Sequence, residues 1–291
     1  MQGGFEMNFL PTSSNFDFLL YPRDDMNAYI RRGFEVHKRI GFEGVDLDLD
    51  LMSFMGEDWR SCVENTTAMS EEFGIGFPQC HLPFVPQNQG EPDPTFDKRI
   101  REAIDAAKII GAEYAVLHPN SVSVPLDEYD PKAQYERVMS YMSPLVEYAD
   151  KAGVHILIEN MRTKPTKIPS YRYCSGPEEL CQVADALGIG VCWDTGHAHI
   201  SGLRQSEALK YIGSRLKAVH INDNLADDDI HLPPFTGTVD WADVMKGLAA
   251  VGYNGFLNFE VSTVKVPGSV KEAFGRYIHA TAEELRALYK K

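Results

Sequence analysis

One unit recurs along this chain: an amphipathic helix, then a glycine, then a short strand of apolar or β-branched residues. The glycines at its six occurrences are Gly41, Gly74, Gly111, Gly153, Gly188 and Gly252. Glycine is favoured just past the last turn of a helix, because it adopts positive φ without a clash from a Cβ atom. The repeat therefore predicts helices that return to strands through tight glycine turns.

Two further strands complete the pattern. The interval between Gly188 and Gly252 is nearly double the others, and it contains the strand LKAVHIND at 216–223. A helix of about residues 205–216, which ends without a glycine, precedes that strand. With a first strand at residues 6–10 (EMNFL), the count reaches eight strands, each followed by a helix.

Alternating strands and helices at this spacing predict a parallel sheet. Eight units favour a closed barrel over an open doubly wound sheet, and no G-x-G-x-x-G follows the first strand. We therefore predict α/β architecture, with a single (β/α)8 TIM barrel domain spanning residues 1–291. Locally, Asp240 and Ser175 are expected to cap the helices that follow them, and Pro144 is expected to kink or split its helix.

Charge and composition exclude several functions. The formal net charge of −14 would repel polyanions, which disfavours nucleic acid as a partner. No apolar run approaches the roughly 18 residues of a membrane span, and the N-terminus lacks a signal-peptide pattern. The five cysteines are scattered without a CxxC pair, as expected for reduced thiols. A cytoplasmic protein with no membrane partner is predicted, and its oligomeric state, a homo-oligomer included, stays open.

The segment VCWDTGHAH at 191–199 combines a buried strand with metal-competent side chains. Its apolar residues are typical of a parallel strand covered on both faces, and Asp194 at its exit is followed by His197 and His199. Carboxylate oxygen and neutral imidazole are common ligands of divalent metals. On this segment alone, a metal site and a capping Asp with hydrogen-bonded histidines are equally good interpretations.

Other strands end in the same way, which favours the metal. Six consecutive strands place a metal-competent side chain at their exits: His81, His118, Glu159, Asp194, His220 and Glu260. Burying so many uncompensated ionisable groups together would be costly, and a bound cation removes much of that cost. Barrel enzymes carry their sites at this end.

Two other sets of polar residues are weaker candidates. Asp46, Asp48 and Asp50 alternate onto one face of the second strand, and Asp48 or Asp50 is the expected support for the site, although a solvated barrel mouth would show the same pattern. The remaining histidines are expected to be structural or exposed: His37, His155 and His279.

Five segments together carry a family resemblance: IEN at 158–160, WDTGHAH at 193–199, VHINDN at 219–224, DIHLPPFTGTVDW at 229–241 and FEV at 259–261. In this order and spacing they resemble the xylose-isomerase-like TIM barrel superfamily, and most of all its sugar phosphate isomerase/epimerase branch. That family usually has a glycine after the two prolines, and this chain has Phe235 there. The difference bears on the shape of the loop over the substrate.

The resemblance implies one divalent ion, manganese, zinc, magnesium or cobalt. Its ligands would be Glu159, Asp194, His220 and Glu260. Substrate contacts would fall on His197, His81, His118 and Arg162, while Asp229 and His231 would orient the substrate or a loop.

These residues suit a ketose or cyclitol isomerase or epimerase that works by proton transfer through a metal-stabilised enediolate. Glu159 and Glu260 are the candidates that take and return the proton. Epimerisation, isomerisation and an inosose-type dehydration all remain open. No glycine-rich phosphate cradle is evident, so a free sugar or cyclitol is at least as good a substrate as a phosphate ester.

Two other functions are alternatives. An apurinic-site endonuclease of the same superfamily holds three zinc ions with nine ligands, and this chain offers a matching set: His81, His118, Glu159, Asp194, His197, His220, Asp229, His231 and Glu260. The charge of −14 and the absence of a basic face argue against it. A barrel that binds sugar without turnover would not require two opposed glutamates.

Overall fold

A computed structural model describes residues 11–14, 25–49, 58–84, 94–163, 170–263 and 265–289. Eight parallel strands close into a barrel in the order β1-β10-β9-β8-β6-β4-β3-β2, which confirms the predicted fold class. The barrel strands are β1 (Pro11–Ser14), β2 (Gly44–Asp48), β3 (Gln79–His81), β4 (Tyr114–Leu117), β6 (Ile156–Glu159), β8 (Gly190–Asp194), β9 (Leu216–Ile221) and β10 (Leu257–Phe259). The strand predicted at residues 6–10 lies outside the described residues.

Helices surround the barrel. They are α1 (Met26–Ile40), α2 (Trp59–Phe73), α3 (Pro94–Ile110), α4 (Pro131–Ala152), α5 (Pro177–Leu187), α6 (Thr195–Ile200), α7 (Gln205–Ile212), α8 (Trp241–Ala250) and α9 (Lys271–Tyr289). All six repeated glycines have positive φ, between 64° and 107°, as the repeat predicted. Within the described part of the chain, no helix is both long and apolar enough to cross a bilayer.

Some helix ends differ from the prediction. Asp240 does cap α8, because its side chain accepts a hydrogen bond from Asp243 N. Ser175 does not cap α5: Gly176 holds that position, because Pro177 begins the helix and restricts the residue before it to extended backbone. The helix predicted at about 205–216 ends earlier, at Ile212, and the prediction that it ends without a glycine is wrong: Gly213 is its C-cap and begins a short 3-10 turn that leads into β9.

Of the two outcomes predicted for Pro144, a kinked or a split helix, the split does not occur. Helix α4 runs without a break from Pro131 to Ala152, with Pro144 inside it. Its buried face, which includes Met142 and Leu145 on either side of the proline, packs into the core. Tertiary packing thus outweighs the loss of one backbone hydrogen bond.

A small second sheet lies outside the barrel. Strands β5 (Ser123–Pro125) and β7 (Ser170–Arg172) pair antiparallel, with Ser123 opposite Arg172. They lie in the excursions that follow β4 and β6. Neither strand is among the eight that the sequence predicts, so the sequence alone does not indicate this sheet.

The barrel interior has an apolar floor beneath its charged rim. Val116, Leu157, Cys192 and Ala218 form a small buried cluster apart from the main core. Side chains alternate along a strand, so residues two positions further on point to the same side. Those residues are His118, Glu159, Asp194 and His220. The alternation of side chains along the strands therefore places the metal-competent side chains next to a layer of buried apolar side chains.

Candidate metal centre

Four side chains meet at the carboxyl ends of the strands. Glu159, Asp194, His220 and Glu260 each offer a ligand atom, and these atoms all lie within 4.8 Å of one another. His220 Nδ1 is 3.2 Å from Glu159 Oε1 and 3.0 Å from Glu260 Oε2. Glu159, Asp194 and His220 are almost fully buried. The structure thus gathers the four residues that the family resemblance pointed to.

The donor set fits a cation. Among the described residues, His220 Nδ1 and Glu260 Oε2 are buried without a hydrogen bond and lie 3.0 Å apart, beside Glu159 and Asp194. Buried polar atoms nearly always have a partner, and a cation among these four side chains would supply one. Three carboxylates with one imidazole form an oxygen-rich set that suits manganese, magnesium, cobalt or zinc.

Asp194 is held in place by two hydrogen bonds. Its Oδ1 accepts from His197 N at 2.6 Å and its Oδ2 accepts from Asn222 Nδ2 at 2.7 Å. It is also the N-cap of α6. The capping interpretation of this residue is confirmed, and the cap fixes the carboxylate beside the other three candidate ligands.

Asp46 supports the centre from behind. Its Oδ2 is 3.2 Å from His220 Nε2 and accepts from Gln79 Nε2 and Asn258 Nδ2, both at 2.8 Å. A carboxylate in this position fixes the imidazole and raises its basicity toward a metal. The sequence predicts Asp48 or Asp50 as the carboxylate that supports the site. Asp48 is half-buried at the mouth instead, and Asp50 lies outside the described residues.

Two further groups flank the four. His81 Nε2 and His118 Nε2 lie 3.2 and 3.1 Å from Glu159 Oε2. On the other side, His197 Nε2 and His231 Nε2 lie 3.3 and 3.1 Å from the two oxygens of Asp229. Each group offers three ligand atoms within 4.8 Å of one another.

Arg162 completes the set, because its Nε donates to Asp229 Oδ2 at 3.0 Å. All ten site residues predicted from the sequence therefore lie at one rim. His199, the second histidine of the DTGHAH segment, lies near Thr238, 2.8 Å from its Oγ1.

Burial and charge set the protonation of the rim. Burial, with Glu260 and Glu159 adding to it and His197 opposing it, raises the pKa of Asp194 to about 6. Burial also lowers the pKa of His118 to about 4. For His81, burial is outweighed by Glu159, which raises the pKa to about 9. Near neutral pH, His81 is therefore protonated, whereas His118 is neutral and one of its ring nitrogens has a lone pair.

The histidines away from the rim are structural or surface residues, as predicted. His37 is fully buried in α1 and its Nδ1 hydrogen-bonds with Gly33 O at 2.8 Å. His155 is exposed, and His279 is half-buried with its Nε2 3.1 Å from Gly41 O.

A barrel of this fold has known counterparts. A model of the xylose isomerase-like TIM barrel family matches residues 34–290. The chain belongs to that family. The match runs from the second half of α1 to the end of α9 and leaves out β1.

Similarity to individual family members is modest. The chain is 29% identical over 193 residues to an uncharacterised protein of Methanocaldococcus jannaschii, which covers 64% of this chain and 63% of that one. It is 24% identical over 194 residues to a probable endonuclease 4 of Moorella thermoacetica, covering 62% and 65%. The chain therefore spans a little under two thirds of the length of these two relatives.

Two sugar epimerases are similar over greater lengths. The D-psicose 3-epimerase of Ruminiclostridium cellulolyticum is 22% identical over 268 residues, which covers 87% of this chain and 85% of that one. The solved structure of the 3-keto-D-glucoside 4-epimerase of E. coli superposes with a TM-score of 0.71 at 16% identity, covering 96% and 99%. At this identity the structural likeness concerns the fold.

Proposed function

We propose that this protein is a divalent-metal-dependent isomerase or epimerase of a sugar, a ketose or a cyclitol, that works by proton transfer. The observation that carries the proposal is that two buried or partly buried glutamates, Glu159 and Glu260, approach the same atom of His220 beside Asp194. Proton transfer at a carbon next to a carbonyl needs such positioned carboxylates. The sugar epimerases among the relatives support this substrate class.

One divalent ion held by Glu159, Asp194, His220 and Glu260 would supply polarisation of the substrate carbonyl and stabilisation of the enediolate charge. The two glutamates supply the acid and base. Burial opposes their ionisation, but His220 with its neighbours lowers the pKa of Glu260 to about 2 and that of Glu159 well below its usual range. Each carboxylate is therefore ionised at neutral pH and ready to accept a proton.

His197 is positioned to hold a substrate oxygen. Its Nδ1 lies 2.8 Å from the Asn160 carbonyl, which only accepts, so Nδ1 carries a hydrogen. Burial lowers its pKa, but Asp194 and Asp229 outweigh this and raise it to about 9. The ring is then a cationic donor through Nε2. Return of the proton to the opposite face of the same carbon gives epimerisation, and return to the adjacent carbon gives isomerisation.

The Glu260→Gln variant tests the proposal. The protein, loaded with Mn²⁺, is incubated in deuterated water with a panel of ketoses and ketocyclitols, and deuterium at the carbon next to the carbonyl is measured by NMR. The variant should exchange about 100- to 10,000-fold more slowly, since it cannot accept the proton. Glu113→Gln, an exposed glutamate before β4, is the matched control. Wild-type exchange in Glu260→Gln, at equal metal content, would remove this residue from the acid/base role.

An apurinic-site endonuclease is the second candidate, and the two flanking groups of three ligands favour it. The net charge of −14 and the bond from Arg162 to Asp229, a residue of the third group, argue against it. Elemental analysis with an abasic-DNA cleavage assay separates the two. About three zinc ions per chain with cleavage would favour the endonuclease, and one ion with carbon-bound exchange would favour the sugar enzyme. Loss of water from a ketocyclitol would indicate the inosose-type dehydratase.

A further inference from the structure

Arg172, at the end of β7, has donors that none of the described residues accepts. Its side chain is almost fully buried, with an exposed fraction of 5%. Nε donates to Ser121 O at 3.0 Å and to Ser121 Oγ at 3.1 Å. Among the described residues, no hydrogen bond or ion pair reaches its two terminal amino groups. A guanidinium has five N–H donors, and a buried charge without a partner is costly, so an external acceptor would stabilise this arrangement.

A second guanidinium is near enough to Arg172 to disfavour its charge. Arg162 follows β6, has a side chain that is 15% exposed, and uses only Nε in its bond to Asp229. Its terminal amino groups also have no partner among the described residues. The segments that carry the two arginines are joined, because Met161 N donates to Cys174 O at 2.9 Å.

The positive charges of Arg162 and Arg172 repel each other, and this repulsion adds to the effect of burial on the pKa of Arg172. Burial first, and Arg162 second, lower the pKa of Arg172 to about 10. A purely structural cation would be expected to pair with the nearby acids. Glu159 and Asp229 are within electrostatic range of Arg172, yet neither forms a bond with it.

The two arginines and Glu260 belong to different sides of the rim. Arg162 follows β6 and Arg172 ends β7, both in the excursion after β6, and the charge of Arg172 further disfavours protonation of His118. Glu260 and His231 lie on the side of β10. A small molecule between the two sides would present an anionic group to the arginines and its reacting carbon to the glutamates.

We propose that Arg162 and Arg172 form an anion subsite next to the metal centre, and that the substrate is an acidic sugar or cyclitol derivative carrying a carboxylate or a phosphate. This rests on the proposed sugar isomerase or epimerase function and narrows its substrate class. Guanidinium groups bind both anions through paired N–H donors. The subsite lies outside any glycine-rich loop, so a search of the sequence for a phosphate cradle does not find it.

The test compares three ketoses on the metal-loaded protein: a neutral ketohexose, the corresponding keto-acid and the corresponding phosphate ester. Deuterium exchange next to the carbonyl gives kcat and KM for each. One anionic form should exceed the neutral sugar about 10- to 100-fold in kcat/KM, and the preferred form identifies carboxylate or phosphate. Equal or better turnover of the neutral sugar would overturn the subsite while leaving the proposed function in place.

The Arg172→Gln variant localises the effect. It should raise KM for the anionic substrate about 10- to 100-fold, and the preference for the anionic over the neutral sugar in kcat/KM should fall by the same factor. A merely structural role would lower both substrates' kcat together, and that result would overturn the proposal. Arg172→Lys keeps the charge without the paired donors, and it is expected to restore part of the affinity. It is the second variant if Arg172→Gln does not fold.

Binding of inorganic phosphate and of malonate separates the subsite from the activity. Thermal shift and calorimetry on the metal-loaded protein should show binding of one of the two, weakened at least tenfold in Arg172→Gln. If this Arg172-dependent binding is found but no ketose exchanges, the proposed function fails and the subsite stands. If neither anion binds the wild-type protein, the subsite is overturned.

Discussion

The two ends of the barrel use different residues for left-handed backbone. Where helices lead into strands, the turns are made by glycine, as at Gly41 and Gly153. Where strands lead into loops, the described chain places non-glycine residues with positive φ: Asn120, Cys174, Ala226, His231 and Phe235. This conformation costs a non-glycine residue roughly 1–2 kcal/mol. Glycine avoids this cost where helices lead into strands. Non-glycine residues bear it in the loops after the strands, at the end that carries the candidate site.

Buried ionisable groups also differ between the two ends. At the strand-end rim, the buried side chains of Glu159, Asp194 and His220 lie within 4.8 Å of one another and of Glu260 through one atom each. At the glycine end, the buried His37 hydrogen-bonds through Nδ1 to Gly33 O in its own helix, and burial lowers its pKa to about 4. The glycine end therefore maintains the fold, and the rim carries the candidate site.

The largest expected effect concerns His37. Burial lowers its pKa from 6.5 to about 4, with the bond to Gly33 opposing the shift. The neutral ring favours the folded state fully above pH 6.5. As the pH falls from 6.5 to 4 the unfolded chain gains a proton first, and about 3 kcal/mol of stability is lost. Urea unfolding of wild type and His37→Gln between pH 7 and 4 should show a steeper loss for wild type. Parallel curves would contradict the prediction.

Asp46→Asn should weaken metal binding about 10- to 100-fold, because it removes the negative charge behind His220 Nε2. Competition with a fluorescent chelator measures the affinity. Asp48→Asn, two residues further along β2 and half-buried at the mouth, is the matched control, with a change below about threefold expected. Equal losses in both variants would show that Asp46 acts only through general charge.

Gly153→Ala should destabilise the protein by about 1 kcal/mol. Its φ is 77° and a Cβ atom would meet nothing within 4 Å, so the cost is purely conformational. Gly76 also has open space around it, but its φ is not in the left-handed region. Gly76→Ala should therefore stabilise slightly, by about 0.5 kcal/mol, through the unfolded chain. Thermal unfolding of both variants checks the opposite signs, and the same sign would contradict the account.

Phe235→Gly should have the smallest effect, below about 1 kcal/mol. The change relieves the strain of φ 69° but removes the packing of the ring on Trp241, whose centroid is 5.9 Å away. The positive φ at this position suits a glycine, the residue that the family resemblance predicts here. A loss of 3 kcal/mol or more in urea unfolding would mean that Phe235 acts as a core residue and not as a strained loop residue.

Much of the site was readable because strand-end chemistry is local. Glu159 and Asp194 close apolar strands, His220 is next to the last residue of β9, and parallel strands bring their ends to one rim. The role of Asp46 was not readable, because the alternation offered Asp46, Asp48 and Asp50 alike, and only the tertiary structure brings Asp46 to His220. Arg172 was missed because β7 is a short strand outside the barrel, paired only with β5.

The sequence by itself determined the barrel, because helix periodicity, glycine turns and apolar strands are set by residues close together in the chain. It also determined which residue types stand at the strand ends. Tertiary structure alone decided which carboxylate reaches His220 and that the segments carrying Arg162 and Arg172 are joined through Met161 and Cys174. Those contacts join residues far apart in the chain, and their distances follow from strand register and packing, which no local pattern encodes.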